Sequence, residues 1–333
     1  MRRILVTGSS GFLGTAVVSE LIYRGFSVST LSRSPQPNIL KGIVHHVTGD
    51  IGDARACLLA TQGVSSVIHL AALVHQPNNS LEAFRSTNVV GTQTILASAR
   101  ANGVERFIFA SSAGVYGPES SVAHSETGQL QPTSRYGISK LEAEEKCWSA
   151  SKDLQVSIAR ISAVIGPGMD GSYARMMLAI EKKRFIRVDR GLNKRSLIYV
   201  KDAATLLGEF ACSALPHSGI FNISSPAPYS VKEIVQSAAK ALDRRLPPAI
   251  PPRPVLAACQ IADALGSKLK RSVGPGENYV DLFQRMTGNA VLDVSKMMAE
   301  IALPQWTSLQ RAWQETVEGV RSTNRHIKLP VDS

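Results

Sequence analysis

Thr7-Gly8-Ser9-Ser10-Gly11-Phe12-Leu13-Gly14 follows the apolar run Ile4-Leu5-Val6 and opens an amphipathic stretch, Phe12–Arg24. A strand that enters glycines at this spacing and leaves as a helix is the first βα unit of a dinucleotide-binding fold. The first glycine makes the tight turn, the second admits backbone close to a pyrophosphate, and the third packs helix on strand. The helix N-terminus then offers N–H groups to phosphate. Gly8, Ser10, Gly11, Phe12, Leu13 and Gly14 are the expected cofactor contacts.

The pattern continues outward. Ile4–Thr7, Ser27–Leu31, Ile43–Val47, Ser66–Leu70, Arg106–Ala110 and Gln155–Ala159 read as buried strands. Phe12–Arg24, Ala54–Ala60, Leu81–Ala101 and Tyr136–Ala150 carry helical spacing between them. Alternation of this kind predicts an α/β fold, a Rossmann-type doubly wound parallel sheet. After Gly166-Pro167-Gly168 the rhythm loosens. Helices are expected over Ser172–Lys183, Ala203–Ala214, Tyr229–Leu242 and Val255–Lys268, with a strand at Leu197–Val200. The run Pro247-Pro248-Ala249-Ile250-Pro251-Pro252-Arg253-Pro254 reads as a stiff extended connector. Residues 1–166 therefore form the expected NAD(P)-binding domain, with strands returning from about 196–225. Residues 167–330 mainly supply a smaller C-terminal α/β substrate-binding lobe.

The 333 residues are 44% hydrophobic and 19% charged, enough to bury a sizeable core. The net charge of +11 looks scattered, with modest clusters at 182–184, 187–195 and 268–271. No aromatic-interleaved basic stripe exists, so no nucleic-acid partner is expected. Cys57, Cys147, Cys212 and Cys259 lack metal-ligand spacing and read as reduced thiols, so no metal is expected. No apolar run is long enough for a transmembrane segment, and the early strand is too short for a signal peptide. The expected location is cytoplasmic. The proline connector with Val255–Lys268 and Lys268-Leu269-Lys270-Arg271 has two readings: a membrane-peripheral surface, or a helix packed on its own domain.

Thr30-Leu31-Ser32-Arg33 ends the second strand without an acid. A carboxylate there bonds a ribose 2′-hydroxyl and an arginine favours a 2′-phosphate, so NAD or NADP fits and Arg33 leans to NADP. Arg33 as a solvated charge stays open. Asp50, in Gly49-Asp50-Ile51, either meets the adenine amino group or caps the next helix. Leu70-Ala71-Ala72 ends the fourth strand with small residues, letting a cofactor lie against backbone. Tyr136 and Lys140 share one helix face. A neighbouring ammonium favours the phenolate, so the pair suits proton transfer. Ser112, after the fifth strand, is placed to bond a substrate oxygen.

These motifs, with Asn88-Val89-Val90-Gly91-Thr92 and Ser111-Ser112-Ala113-Gly114-Val115-Tyr116-Gly117, resemble the extended short-chain dehydrogenase/reductases over nearly the whole chain. More narrowly they resemble its nucleotide-sugar epimerase/dehydratase group. The resemblance implies Tyr136 as base and acid, Lys140 as its partner and ribose anchor, and Ser111 and Ser112 as substrate contacts. It implies that Asn88 orders the active-site helix beside the cofactor. Arg195 and Arg285 become the candidate grip on a substrate diphosphate, and a homodimer is expected. Dehydratases of the group carry an Asp-Glu pair where this chain has Ala113-Gly114, which argues against dehydration. Ala163 replaces an asparagine of the UDP-galactose epimerases.

The C-terminal part resembles two subgroups of surface-polysaccharide synthesis. One reduces UDP-linked 4-keto-6-deoxyhexosamines with NADPH; the other epimerises polyprenyl-diphosphate-linked N-acetylhexosamine at C4. The implied activity is C4 epimerisation of a nucleotide- or polyprenyl-diphosphate-linked hexose or N-acetylhexosamine. The 4-ketoreductase, a 3β-hydroxysteroid dehydrogenase-like oxidoreductase, a catalytically silent sensor and an RNA-binding relative are the alternatives.

Overall fold

Five of the six apolar runs read from the sequence become inner strands of one sheet, and the sixth, Ile43–Val47, supplies its edge. The computed structural model describes residues 2–35, 42–74, 79–117, 120–213, 217–264, 278–301, 303 and 305–326. The first half comprises β1 (Arg3–Thr7), α1 (Phe12–Tyr23), β2 (Ser27–Ser32), β3 (His45–Thr48), α2 (Ala54–Ala60) and β4 (Ser66–His69). It continues through α3 (Leu81–Arg85), a π-helical turn (Ser86–Val90), α4 (Gly91–Ala101), β5 (Arg106–Ser112), α5 (Arg135–Ser149) and β6 (Gln155–Ile161). The second half holds β7 (Ala163–Ile165), α6 (Gly171–Glu181), β8 (Arg187–Val188), β9 (Lys194–Arg195), β10 (Leu197–Tyr199) and α7 (Val200–Cys212). After these come β11 (Gly219–Ile223), β12 (Tyr229–Ser230), α8 (Val231–Ala241), β13 (Ala249–Ile250), α9 (Pro252–Ala264), α10 (Tyr279–Thr287), α11 (Ser295–Glu300) and α12 (Leu309–His326).

Seven strands pair in the order β11-β6-β5-β4-β1-β2-β3, all parallel. The strand order reverses between β1 and β4, where ligands of open α/β sheets bind. Successive strand residues point to opposite faces, and the core divides accordingly. Ile4, Val6 and Ile108 pack with α1 and α7, while Leu5, Phe107 and Phe109 pack with α2, α4 and α5. A third cluster, around Trp313, Ile234 and Val235, packs α6, α8 and α12 together and reaches Phe12 and Leu13.

Three local readings change. The helix expected over Leu81–Ala101 contains a π turn at its centre, with Asn88 within it. Such single turns widen the helix and re-aim side chains, often at functional positions. The proline connector is shorter than expected, because Pro252 begins α9, where a missing N–H is tolerated. Within that connector Ala249–Ile250 pairs with Arg187–Val188 as a two-stranded ribbon. The helix is described as far as Ala264; the expected continuation to Lys268, with Lys270 and Arg271, lies outside the described residues. No described helix is long and apolar enough to cross a membrane.

Candidate active site

A cleft of about 480 Å³ opens along the carboxyl ends of β1, β2, β4, β5 and β6. Its floor is the glycine turn. Gly8 has φ +68°, and a Cβ there would sit 2.7 Å from the Ala71 nitrogen. A Cβ on Gly14 would lie 2.1 Å from the Gly8 carbonyl, so the turn and helix meet only because side chains are absent. Gly11 caps α1 without any side-chain hydrogen bond, leaving the helix N-terminus to an anion. The glycine cradle, the uncapped helix end and the flat Leu70-Ala71-Ala72 wall fit a dinucleotide.

Ser10, Phe12, Leu13, Arg33, Asp50, Ile51, Ser111, Ser112, Tyr136 and Lys140 all line this cleft. Asp50 is not the cap of α2. Its carboxylate accepts from Gly52 N, whereas Asp53 accepts from Arg55 N and Ala56 N and caps the helix. Asn88 does not line the cleft. Its Oδ1 accepts from Leu73 N (2.7 Å), and its Nδ2 donates to Leu73 O (3.1 Å) and Ser139 Oγ (2.9 Å). Ser139 in turn donates to the Tyr136 carbonyl (2.8 Å). The π turn thereby clamps the wall of the cleft to α5. Arg195 and Arg285 also lie outside the lining; they meet each other, Arg195 Nη2 donating to the Arg285 carbonyl.

Tyr136 and Lys140 stand one turn apart on α5, held by the Ser134 cap, whose Oγ accepts from Gly137 N. Burial pushes the Tyr136 phenol up to about 12, against the downward pull of its hydrogen bond with Ser112. The expected lowering by Lys140 is not what sets this value; removal from water wins. Ser112 Oγ also accepts from Gly114 N (3.1 Å), which fixes the hydroxyl. Lys140 is buried with its Nζ 3.9 Å from the centre of the Phe109 ring. Burial pushes its pKa down to about 8, opposed by Cys147 and Glu144.

That depression has a sign. Between about pH 8 and 10.5 the unfolded chain holds a proton on Lys140 that the folded chain lacks, so stability from this group rises with pH across that window. Below pH 8 the charging penalty is fully present. Lys140→Met is therefore expected to raise stability at pH 7 by about 2 kcal/mol, the relieved penalty less the lost ring contact. Denaturant titrations should show the gain shrinking as pH rises from 8 to 10.5, while activity is lost throughout.

Two buried networks support these groups and were not read from the sequence. His69 joins Thr7 Oγ1 (2.7 Å, at Nδ1) to Thr92 Oγ1 (3.0 Å, at Nε2). Thr92 donates to the Asn88 carbonyl (2.6 Å), so its oxygen must accept from His69 Nε2–H. Nδ1 then accepts from Thr7, whose oxygen accepts from Ala71 N. One tautomer satisfies every group. Burial and the Lys140 charge hold the imidazole neutral, with a pKa near 3. The second network starts at Ser111, whose Oγ donates to Glu144 Oε1. Glu144 forms a buried ion pair with Arg160 (2.8 Å), and Arg160 Nη1 reaches Tyr116 OH and the Glu126 carbonyl, each at 3.1 Å. Glu144 continues the Tyr136/Lys140 stripe by one more turn, and Arg160 is a charge inside an apolar strand. Both signals were present in the sequence.

Residues 4–224 match the family described as NAD dependent epimerase/dehydratase. A UDP-glucose 4-epimerase of Vibrio cholerae is 28% identical over 97% of each chain. An N-acetyl-α-D-glucosaminyl-diphospho-ditrans,octacis-undecaprenol 4-epimerase of Escherichia coli O157:H7 is 26% identical over 73% of each. The solved structure of MoeE5 in complex with UDP-glucuronic acid and NAD aligns with a TM-score of 0.75 at 25% identity, covering 96% of this chain and 99% of that one. With the parallel sheet, the glycine cradle and the cleft already in place, the chain belongs to the NAD-dependent epimerase/dehydratase family of extended short-chain dehydrogenase/reductases and is an NAD(P)-dependent enzyme.

Proposed function

We propose that the enzyme inverts C4 of a nucleotide-linked or polyprenyl-diphosphate-linked hexose or N-acetylhexosamine. The observation that carries this is the Ser112–Tyr136–Lys140 group in the dinucleotide cleft, followed by Ala113-Gly114 where dehydration calls for acids. The relatives named as sugar 4-epimerases, one on a UDP sugar and one on an undecaprenol-linked sugar, support it. NAD(P) bound along the cleft supplies the acceptor and donor of a hydride. Tyr136 takes the proton of the sugar 4-hydroxyl and returns it to the same oxygen after the face is exchanged. Ser112 holds that oxygen, and the Lys140 ammonium offsets the phenolate charge. Asn88 keeps α5 against the cleft wall through Leu73 and Ser139. Arg195 and Arg285, side by side at the lobe, grip the diphosphate of the substrate. The lobe of residues 167–330 serves the substrate, and the enzyme works as a homodimer.

The test is direct. UDP-glucose, UDP-N-acetylglucosamine and polyprenyl-diphosphate N-acetylglucosamine are each incubated with the purified enzyme, and the C4 epimer is followed by the proton coupling at H4. The expected result is an equilibrium mixture of epimers without net consumption of nicotinamide. Stoichiometric NADPH oxidation on a 4-keto sugar, with no epimer formed from any of the three, overturns it.

A second reading, the NADPH-dependent 4-ketoreductase, is favoured by Arg33, which lines the cleft at the end of β2. An arginine there matches a 2′-phosphate. Arg33→Ser is expected to weaken NADPH binding by roughly tenfold or more, since hydrogen bonds to charged groups contribute about 1.5–3 kcal/mol. NADH binding stays unchanged, as titration of nicotinamide fluorescence should show.

A further inference from the structure

The positive charge is not scattered in space. Residues 175–195 hold eight Lys and Arg against two Asp and Glu, and residues 240–254 hold four against one. Eight less two and four less one place +6 and +3 of the chain's +11 in these two segments. The fold joins them. β8 pairs with β13, Arg187 N donating to Pro248 O (2.9 Å) and Asp189 N to Ile250 O (2.8 Å). Arg187 Nε donates to Pro247 O (3.0 Å), and Arg244 Nε to Glu181 O (3.3 Å). Lys182, Lys183, Arg184, Arg190, Arg244 and Arg245 are all exposed on the result. None of them takes part in the ion pairs of the described residues.

Large aliphatic side chains are set among these charges. Ile186 is 50% exposed, Leu192 62%, Leu246 36% and Ile250 39%. A single exposed aliphatic residue needs no explanation. Four of them, carried by two hydrogen-bonded segments that hold most of the net charge, make the exposed surface of these segments both basic and apolar. Basic side chains with interleaved aliphatics match an anionic lipid surface, where charge draws the protein in and apolar groups enter the headgroup boundary. Nucleic acid would instead be met by aromatic platforms. The large exposed aromatics, Tyr23 and Trp148, lie at the ends of α1 and α5 and not on this face.

We propose that the β8–β13 face docks the enzyme on an anionic lipid bilayer. The basic side chains meet lipid phosphates, and Ile186, Leu192, Leu246 and Ile250 enter the boundary between headgroups and acyl chains. The chain leaves this face through Lys194 into Arg195, so docking brings the lobe assigned to the substrate next to the lipid. The docking itself goes beyond the epimerase reading and is measured without turnover.

The experiment is flotation of the full chain with neutral phosphatidylcholine vesicles and with vesicles containing roughly one-third phosphatidylglycerol. The expected result is flotation with the anionic vesicles alone, released by salt as the Debye length shrinks. The double variant Lys182→Ala/Arg245→Ala, checked for an unchanged thermal melt, is expected to lower the partition coefficient by roughly 30-fold. Ile186→Ser/Ile250→Ser is expected to lower it further while leaving the salt dependence intact. Absence of flotation at low salt by the folded wild-type chain overturns the proposal, as does binding that the charge variant leaves unchanged. Salt-sensitive retention on nucleic acid without vesicle binding also overturns it and assigns the face to nucleic acid.

Discussion

Tyr136→Phe is expected to lower turnover by roughly a thousandfold, within the range that general acid–base groups contribute. The variant removes one oxygen and keeps the ring, whose edge-on contact with Phe84 (6.5 Å between centres) survives. Stability and dinucleotide binding should therefore stay near wild type, while proton transfer at the sugar oxygen fails. The native phenol needs help to act as a base, because burial holds it near 12 even against the Ser112 hydrogen bond. The Ser112 hydrogen bond opposes that rise, so Ser112→Ala should move the alkaline rise of the pH–rate profile upward as well as lower the rate. Thermal melts and dinucleotide titration beside the rate assay separate loss of chemistry from loss of structure. A Tyr136→Phe enzyme that turns over within tenfold of wild type contradicts the proton role.

Glu144→Ala has the largest expected effect on stability. Glu144 and Arg160 are 4% and 2% exposed, so truncation strands a guanidinium inside the protein. Breaking a buried pair from one side costs about 3–5 kcal/mol, far more than losing a surface bridge. For a chain of this size that lowers the melting temperature by on the order of 5–10 °C. Removing both partners, as Glu144→Met with Arg160→Met, should recover much of the loss, since no charge is then left unpaired. Differential scanning calorimetry of the two single variants and the double variant measures the coupling directly. Ser111 also loses its acceptor in Glu144→Ala, so the cleft-lining end of β5 is expected to loosen and activity to fall alongside stability.

What the sequence disclosed followed from how local each signal is. The glycine spacing after Ile4-Leu5-Val6, the alternation of strands and helices, and Tyr136 with Lys140 are all short-range patterns, and the structure carries them into one cleft. The π turn at Ser86–Val90 was hidden, because its apolar spacing differs from a regular helix by a single residue. Asp50 and Asp53 both precede α2; only backbone geometry shows that Asp53 takes the cap. The Glu144–Arg160 pair crosses from α5 to β6, so neither residue announces the other along the chain. The basic face was read as scattered charge because β8 and β13 are two residues each, too short to show a period, and lie about sixty positions apart. Arg195 and Arg285 meet each other across ninety positions of chain without reaching the cleft lining, which no pattern along the sequence shows.

The most direct measurement of the epimerase reading is the dinucleotide content of freshly purified enzyme, released by denaturation and identified by mass spectrometry. An enzyme that returns the hydride to its own substrate keeps its cofactor, so roughly one NAD(P) or NAD(P)H per chain is expected, retained through gel filtration. An empty protein that binds added NADPH much more tightly than NADH, and releases NADP after each turnover, contradicts the reading and identifies a reductase.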